Sequence, residues 1–486
     1  MDLNNIENYR IEKDSLGEIS VPKDVLYGIQ TLRAVKNFPI TGYKTHPMMI
    51  KALGMVKKAS AIANFETGHL DEERLNYITQ ACDEVIAGYW DEYFISDVIQ
   101  GGAGTSTNMN ANEVIANRAA QIANKTLGTY DYIHPNDHIN FGQSTNDVFP
   151  TAGKLTALFL VKKLLDEVNL LHASLSRKAY EFDDVIKPGR THLQDAVPIR
   201  MGQEFHAYAT SFMRDIRRIK ISFEGLQSIN MGATAVGTGL NADERYRRIC
   251  VNNLNKISGF KLTSTKDLID GTRNVAPFVW ASSSLKTLAV NLSKMANDIR
   301  LMASGPKAGL SEITLPSKQP GSSIMPGKVN PVIPEVVNQV CFQVFGNDFT
   351  ILKAAEAGQL ELNVFEPVLF YNLFQSIEIL TNGIQTLREN AIDGMKANKE
   401  HCQHLVDIFL GSATALASHI GYANASKYAK LALEENRKLK ELIIESGLMD
   451  SAKLDEVLNI KEMTRPGIPG MRKKHRTNKK SNKNEE

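Results

Sequence analysis

The chain has 486 residues, of which 43% are hydrophobic and 23% charged, and its formal net charge is +2. A chain of this length is too long for one compact core, which suggests two or three domains or one elongated helical body. Seven Lys or Arg and two Glu lie in residues 471–486, so the rest of the chain is mildly acidic. That balance argues against a nucleic-acid-binding face on the body of the protein.

Cysteines and apolar runs indicate the compartment. Cys82, Cys250, Cys341 and Cys402 are scattered without a CxxC pair, which predicts buried, inert thiols in a reducing compartment. The longest apolar run, LTALFLV at 155–161, is far shorter than a membrane span. The polar N-terminus lacks an apolar signal core. We therefore expect a cytoplasmic protein.

Helical periodicity begins after residues 1–45, whose turn signals predict irregular structure. Apolar steps of three and four residues mark Leu285–Met302 and Phe370–Leu387 as heptad seams. Looser patterns of the same kind run through the other three long stretches, and the five together are 152–180, 201–228, 281–302, 332–357 and 370–387. Such lengths are typical of a bundle or a coiled coil. Their apolar sides are too extensive for one chain to cover, which predicts a homo-oligomer sharing these helices.

Four polar loops precede helical stretches: GGAGTSTNMN at 101–110, GQSTND at 142–147, GRTHLQDAVP at 189–198 and GSSIMPGKVNP at 321–331. A helix N-terminus presents unpaired N–H groups and a partial positive charge, and hydroxyl and amide side chains add donors. One such loop is most simply an ordinary N-cap. Four of them predict a site for a small molecule with two anionic ends.

The donors also indicate a reaction. Removing a proton from carbon next to a carboxylate builds a doubly negative, enolate-like group, which fixed donors stabilise. The candidate bases are Ser322, Ser323 and His192. A serine serves only if nearby N–H groups and Lys328 stabilise its alkoxide in a dry pocket. The glycines of the 321–331 loop would let it close as a lid.

Two other motifs could indicate different chemistry, but the residues around them argue against it. GTGLNA at 237–242 fits a dinucleotide fingerprint, but no alternating βα pattern surrounds it. His134 and His138 have metal-ligand spacing, yet the proline and turn residues of HPNDH predict hydrogen-bonded loop histidines instead. No spacing in the sequence predicts a catalytic metal.

GSSIMPGKVNP resembles the signature of the aspartase/fumarase superfamily, whose members release fumarate from succinyl-type substrates. The resemblance continues through GGAGTSTNMNANEV, HPNDHINFGQSTND, GRTHLQDAVP and GATAVGTGLN, and covers nearly all of 5–465. VIPEVVNQVCFQVFGND at 332–348 and AAEAGQLELNVFEPV at 354–368 resemble the aspartate ammonia-lyase branch more than class II fumarases. His192 does not discriminate, because some aspartases have glutamine there and fumarases have histidine.

The resemblance implies a mostly α, three-domain subunit, with five long helices from each of four subunits forming a twenty-helix core. In this chain it implies an N-terminal, mostly helical domain at 1–142 and a central long-helix bundle at 143–397. A small C-terminal helical domain at 398–465 and a disordered basic tail at 466–486 follow. It also implies a homotetramer with active sites shared between subunits. The implied reaction is reversible deamination of L-aspartate, without a cofactor, although divalent metal activates some relatives at a separate site.

Residue roles follow from the same resemblance. Ser322 matches the base that takes the C3 proton. Matched positions that bind the β-carboxylate, where charge builds in an aci-carboxylate intermediate, are Thr105, Ser144, Thr145 and Ser323. Positions that bind the α-carboxylate or its surroundings are Thr191, His192, Lys328 and Asn330. Asn146 matches a position near the substrate amino group.

Two alternatives stay open. The first is a class II fumarase, which interconverts malate and fumarate. The second is a helical scaffold whose basic tail binds nucleic acid and whose polar loops are only helix caps.

Overall fold

The computed structural model describes residues 8–471. The chain divides into two compact units. Unit 1 comprises the residues up to Val168 together with Arg214–Asn291 and Gln339–Gly383. Unit 2 comprises Asn169–Met213, Leu292–Asn338 and the residues from Ile384 onward. The three-domain division stays a prediction.

Helices account for most of the described residues, which confirms the mostly α fold class. They are α1 Ile29–Asn37, α2 Pro47–Thr67, α3 Glu72–Ile86, α4 Thr105–Ile122, α5 Thr145–Glu181, α6 Met201–Glu224, α7 Tyr246–Ser258, α8 Leu268–Arg273, α9 Ala276–Met302, α10 Val332–Glu356, α11 Glu366–Leu387, α12 Lys399–Ile408, α13 Ala413–Ile420, α14 Tyr422–Glu434, α15 Leu439–Glu445, α16 Ser451–Val457 and α17 Ile460–Met463.

The strands are short and form two-stranded sheets. They are β1 Tyr9–Asp14, β2 Gly17–Pro22, β3 Ile186–Thr191, β4 Gln194–Arg200, β5 Ser228–Ile229, β6 Thr263–Ser264, β7 Ile313–Thr314 and β8 Lys396–Ala397. The pairs β1–β2, β3–β4 and β7–β8 are antiparallel, and β5–β6 is parallel.

The prediction of irregular structure over residues 1–45 is wrong in part, because β1, β2 and α1 lie there. The Arg10 guanidinium holds this region together. It donates to the carbonyl oxygens of Val25 (2.8 Å) and Tyr27 (2.9 Å), and to Glu12 Oε1 (2.8 Å). Such a tertiary contact leaves no periodic signal in the sequence.

The five predicted long helices are α5, α6, α9, α10 and α11. The largest boundary error is at α5, which begins at Thr145 rather than 152 and continues through Pro150. Proline has no N–H and leaves the carbonyl four residues earlier without its helical partner. Here the Asn146 carbonyl accepts from Asn230 Nδ2 at 3.0 Å, so a tertiary contact allows the helix to start early.

The two heptad seams lie in the core, as their spacing predicts. Every seam residue from Leu285 to Ile299 is 0% exposed, and those from Phe370 to Leu387 are at most 3% exposed. Burying a side chain of this size contributes about 1.5–3 kcal/mol. The seams therefore contribute strongly to the stability of α9 and α11.

The C-terminal part of unit 2 contains the short helices α12–α17, and its core includes Leu416, Ile443 and Leu454. The first residues of the predicted tail lie in the described part, where Lys453 Nζ donates to the Gly470 carbonyl at 2.6 Å. Residues 472–486, which carry most of the predicted basic tail, lie outside the described residues.

All four cysteines are buried, as predicted. Burial raises the pKa of Cys82 and Cys250 to about 12, so these thiols stay protonated. Within residues 8–471, none of the helices has both the length and the apolar composition needed to cross a membrane.

Candidate active site

In unit 1, a cavity of about 410 Å³ lies at the N-termini of α4 and α5. Its lining includes three of the predicted substrate-binding residues: Thr105, Ser144 and Thr145. The facing wall comes from the segment Thr234–Asn241, part of the GATAVGTGLN motif. Two of the four polar loops thus contribute hydroxyl groups to one concave surface.

The start of α5 is held by reciprocal hydrogen bonds. Ser144 Oγ accepts the N–H of Asn146 (3.2 Å), and Asp147 Oδ1 accepts the N–H of Ser144 (3.0 Å). Asp147 Oδ2 accepts the N–H groups of Gly232 (3.1 Å) and Thr234 (3.0 Å), which ties the facing wall to the helix. Asp147 is 0% exposed, and burial raises its pKa to about 6. These contacts fix the geometry of the Ser144 and Thr145 donors.

The start of α4 requires glycine. Gly104 precedes the helix with φ +90°, and a Cβ there would overlap the ring of Phe149. The turn brings Thr105 to the cavity, where its hydroxyl donates to the Gly102 carbonyl at 2.7 Å. That hydroxyl must rotate before it can donate to a ligand.

Sequence reasoning missed Asn108, which lines the same cavity. Its Nδ2 donates to Thr145 Oγ1 at 3.1 Å. No residue among 8–471 pairs with its buried Oδ1. The spacing of three residues from Thr105 puts both side chains on one face of a helix, and this signal was present in TSTNMN.

Asn146 is held beside the facing wall of the cavity. Its Nδ2 donates to the Ala235 carbonyl at 2.7 Å, and its own carbonyl accepts from Asn230 as described above. The side chain is therefore fixed by contacts within unit 1.

In unit 2, Thr191 and His192 lie at the tip of the β3–β4 hairpin, and both are exposed. The turn consists of His192 (φ 56°) and Leu193 (φ 59°). Positive φ at both positions normally requires Gly, Asn or Asp, and each non-glycine residue there costs of order 1–3 kcal/mol. A strained turn that presents a histidine suggests a functional constraint.

A buried ionic cluster anchors this hairpin. Glu312 is 0% exposed; its Oε2 lies 2.6 Å from Lys187 Nζ and its Oε1 lies 2.5 Å from Arg190 Nη1. Both cations belong to β3. Sequence reasoning missed this cluster, because Glu312 lies more than 100 residues from both cations and shares no motif with them.

Replacing Glu312 should strongly destabilise the protein. Glu312→Gln removes the buried carboxylate that Lys187 and Arg190 share and leaves the buried Lys187 with Glu204 alone (3.1 Å). We expect the free energy of unfolding to fall by about 3–5 kcal/mol. Urea unfolding at a fixed protein concentration measures it. The matched control is Glu356→Gln, which removes an exposed pair with Lys353 and should cost less than about 0.5 kcal/mol. Equal effects would mean that the cluster does not hold the hairpin.

The 321–331 loop is closed on itself. The Gly321 N–H donates to the Lys328 carbonyl (2.8 Å), and Asn330 Nδ2 donates to the Gly321 carbonyl (2.7 Å). A Cβ at position 321 would overlap the Lys328 carbonyl oxygen. Asn330, predicted to bind substrate, therefore also shapes the loop.

Ser322 occupies a position suited to a base. Its Oγ accepts the N–H groups of Ile324 (3.2 Å) and Met325 (3.0 Å). Two fixed donors stabilise negative charge on this oxygen. Ser323 and Lys328 are exposed on the same loop. Among residues 8–471, no ion pair involves Lys328 and no hydrogen bond links the loop to the hairpin tip.

The rejected histidine motif has a structural role. His134 Nδ1 accepts the N–H groups of Asn136 (3.1 Å) and Asp137 (3.2 Å), and His138 Nδ1 accepts that of His134 (2.8 Å). Both are hydrogen-bonded, as predicted, although their segment Pro135–Ile139 is a π-helical turn rather than a loop. In the part of the chain that the structure describes, no three His, Cys, Asp or Glu residues form a group that could hold a metal ion.

Comparisons with known proteins agree with this architecture. A lyase family model matches residues 17–346, and a model of the fumarase C C-terminus matches residues 413–465. An aspartate ammonia-lyase of Bacillus sp is 56% identical, with 95% of this chain and 98% of the relative covered. An aspartate ammonia-lyase of Escherichia coli (strain K12) is 46% identical, with 96% and 98% covered.

Two solved structures are also similar. One is a fumarate lyase:delta crystallin from Brucella melitensis bound to cobalt, with TM-score 0.92 and 47% identity over 94% of this chain and 100% of that chain. The other is a class II fumarase from Schistosoma mansoni, with TM-score 0.91 and 36% identity over 94% and 99%. The chain therefore belongs to the aspartate ammonia-lyase family of the aspartase/fumarase superfamily.

Proposed function

We propose that this chain catalyses the reversible deamination of L-aspartate to fumarate and ammonia. The observation that carries the proposal is the 46–56% identity, over at least 95% of this chain, with aspartate ammonia-lyases. The geometry supports the same substrate class, because helix N-termini and hydroxyl donors suit a small dicarboxylate.

Ser322 takes the C3 proton, and the electron pair moves into the β-carboxylate to give an aci-carboxylate. Thr105, Ser144, Thr145 and Ser323 donate hydrogen bonds to that group, where negative charge increases most. The C–N bond then breaks and ammonia leaves. The two N–H groups on Ser322 Oγ support the role of the base, because they lower the cost of its alkoxide form.

The α-carboxylate end is bound by Thr191, His192, Lys328 and Asn330, and Asn146 lies near the amino group. Lys328 supplies the positive charge of the site. Its side chain is exposed in a single chain, which fits a site that other subunits of the assembly complete. No cofactor takes part in this reaction, and any divalent metal acts as an activator at a separate site.

The assembly is a homotetramer in which each active site draws on more than one subunit and the long helices form a twenty-helix core. Exposed aromatic residues on α10 support this proposal, since Phe342 is 60% and Phe349 64% exposed. Apolar side chains of this size on a long helix favour burial against another copy. The expected location is the cytoplasm.

The test is an assay of the purified chain with L-aspartate and, separately, with malate. Ultraviolet absorbance follows fumarate, and ammonia is measured in the same samples. The proposal predicts equal amounts of fumarate and ammonia from aspartate. Malate turnover without aspartate turnover would favour the class II fumarase, and turnover of neither would favour the scaffold.

A further inference from the structure

Lys57, on α2, is 0% exposed and has no role in the mechanism above. Its Nζ donates to Asn140 Oδ1 at 2.8 Å and to Gln143 Oε1 at 3.0 Å. A lysine ammonium can only donate hydrogen bonds. It therefore fixes the Asn140 amide with the oxygen facing Lys57, because the opposite orientation would bring donors together.

The orientation of Asn140 determines the orientation of the next side chain. Asn140 Oδ1 also accepts from Asn108 Nδ2 at 3.2 Å, and the same Nδ2 donates to Thr145 Oγ1 at 3.1 Å. Asn108, Asn140 and Thr145 all line the unit 1 cavity. These contacts form a series of hydrogen bonds that runs from Lys57 through Asn140 and Asn108 to Thr145. Lys57 or Asn108 is the donor in each of them, and each acceptor is an oxygen.

Thr145 ends the series at the cavity. Its Oγ1 accepts from Asn108, and no described residue within 8–471 accepts its hydroxyl hydrogen. The Asn108 amide is oriented with Nδ2 toward Asn140 and Thr145, and its buried Oδ1 has no partner among the described residues. If the Asn108 amide were reversed, its oxygen would take the Thr145 hydrogen, and the hydroxyl would no longer be available to a ligand.

We propose that Lys57 is a positioning residue for the dicarboxylate site: it fixes Asn140 and Asn108 so that the Thr145 hydroxyl donates into the cavity. This inference rests on the proposed function, because it assigns the Thr145 hydroxyl to a carboxylate of the substrate. Lys57 itself does not touch the substrate.

The electrostatics agree with this arrangement. Lys57 has no carboxylate within ion-pair distance among the described residues, and burial lowers its pKa to about 7. The Asp147 carboxylate is the charged group that favours its ammonium form. A buried cation is costly to retain, and the hydrogen bonds to Asn140 and Gln143 offset part of that cost.

The test is a double-mutant cycle on the full-length protein, with succinate as the probe and its affinity measured by calorimetry. Thr145→Val removes the hydroxyl, and Lys57→Met removes the ammonium with little change in side-chain length. Each single variant should lower succinate affinity by roughly tenfold or more, the loss expected for a hydrogen bond to a charged group. The double variant should be no more than about threefold weaker than the weaker single variant, because both changes remove one interaction.

Additive losses, which would make the double variant roughly a hundredfold weaker than wild type, would overturn the inference and leave Lys57 a structural residue. Unchanged affinity in Lys57→Met would overturn it as well. If Lys57→Met does not assemble, Asn140→Leu interrupts the same series and enters the cycle in its place. Aspartate turnover by the wild type is measured in parallel. An additive cycle in an active enzyme refutes only the role of Lys57, whereas absent turnover refutes the proposed function.

Discussion

Ser322→Ala is expected to reduce turnover of L-aspartate by roughly three to four orders of magnitude. The substitution removes the oxygen that accepts the N–H groups of Ile324 and Met325, and with it the proposed proton acceptor. Initial rates of fumarate formation at saturating aspartate measure the effect. Aspartate affinity and oligomer size should stay close to wild type, since the loop is closed by Gly321, Lys328 and Asn330 rather than by Ser322.

Ser323→Ala is the matched control, one residue along the same loop. This change removes a proposed donor to the β-carboxylate and leaves the base in place. We expect a loss of roughly tenfold, the size of one hydrogen bond to a charged group. If Ser322→Ala lost no more activity than Ser323→Ala, the base would have to lie elsewhere, and His192 would be the first candidate.

Mixing two impaired variants is expected to restore activity. Ser322→Ala changes the loop of unit 2, and Thr145→Val changes the cavity of unit 1. If each site takes these residues from different subunits, about a quarter of the sites in randomly mixed tetramers contain neither substitution. Turnover per subunit should therefore rise to about a quarter of the wild-type value after joint denaturation and refolding.

The control refolds each variant alone and mixes the finished proteins without subunit exchange, which should leave the mixture at the mean activity of the two variants. A second control refolds Ser322→Ala with Ser323→Ala, whose changes lie on one loop. If jointly refolded Ser322→Ala and Thr145→Val were no more active than the better parent, sharing of sites between subunits would be refuted.

The helical architecture was predictable where apolar periodicity is long. The seams Leu285–Met302 and Phe370–Leu387 predicted α9 and α11, because the buried face of a helix repeats every three or four residues. The hairpin of β1 and β2 was not predictable, since Arg10 holds it to the carbonyls of Val25 and Tyr27, which lie beyond the hairpin itself. The early start of α5 depends in the same way on Asn230, a partner distant in sequence.

The candidate site was predictable to the extent that its residues lie at helix starts. Ser144 and Thr145 follow a glycine in a polar loop, and Thr105 begins α4, so local composition revealed them. Lys57 and Glu312 were not found. Each is a buried charge whose partners come from other elements, and nothing in the neighbouring sequence distinguishes it from an exposed residue.

The most direct test of the central claim is a crystal structure of the assembled Ser322→Ala protein with L-aspartate bound. We expect one aspartate per site, with its β-carboxylate at Thr145 and Ser144, its α-carboxylate at Lys328, and its C3 facing residue 322. Aspartate bound away from the α5 N-terminus, or an assembly in which the cavity, the hairpin tip and the 321–331 loop share no common site, would contradict it.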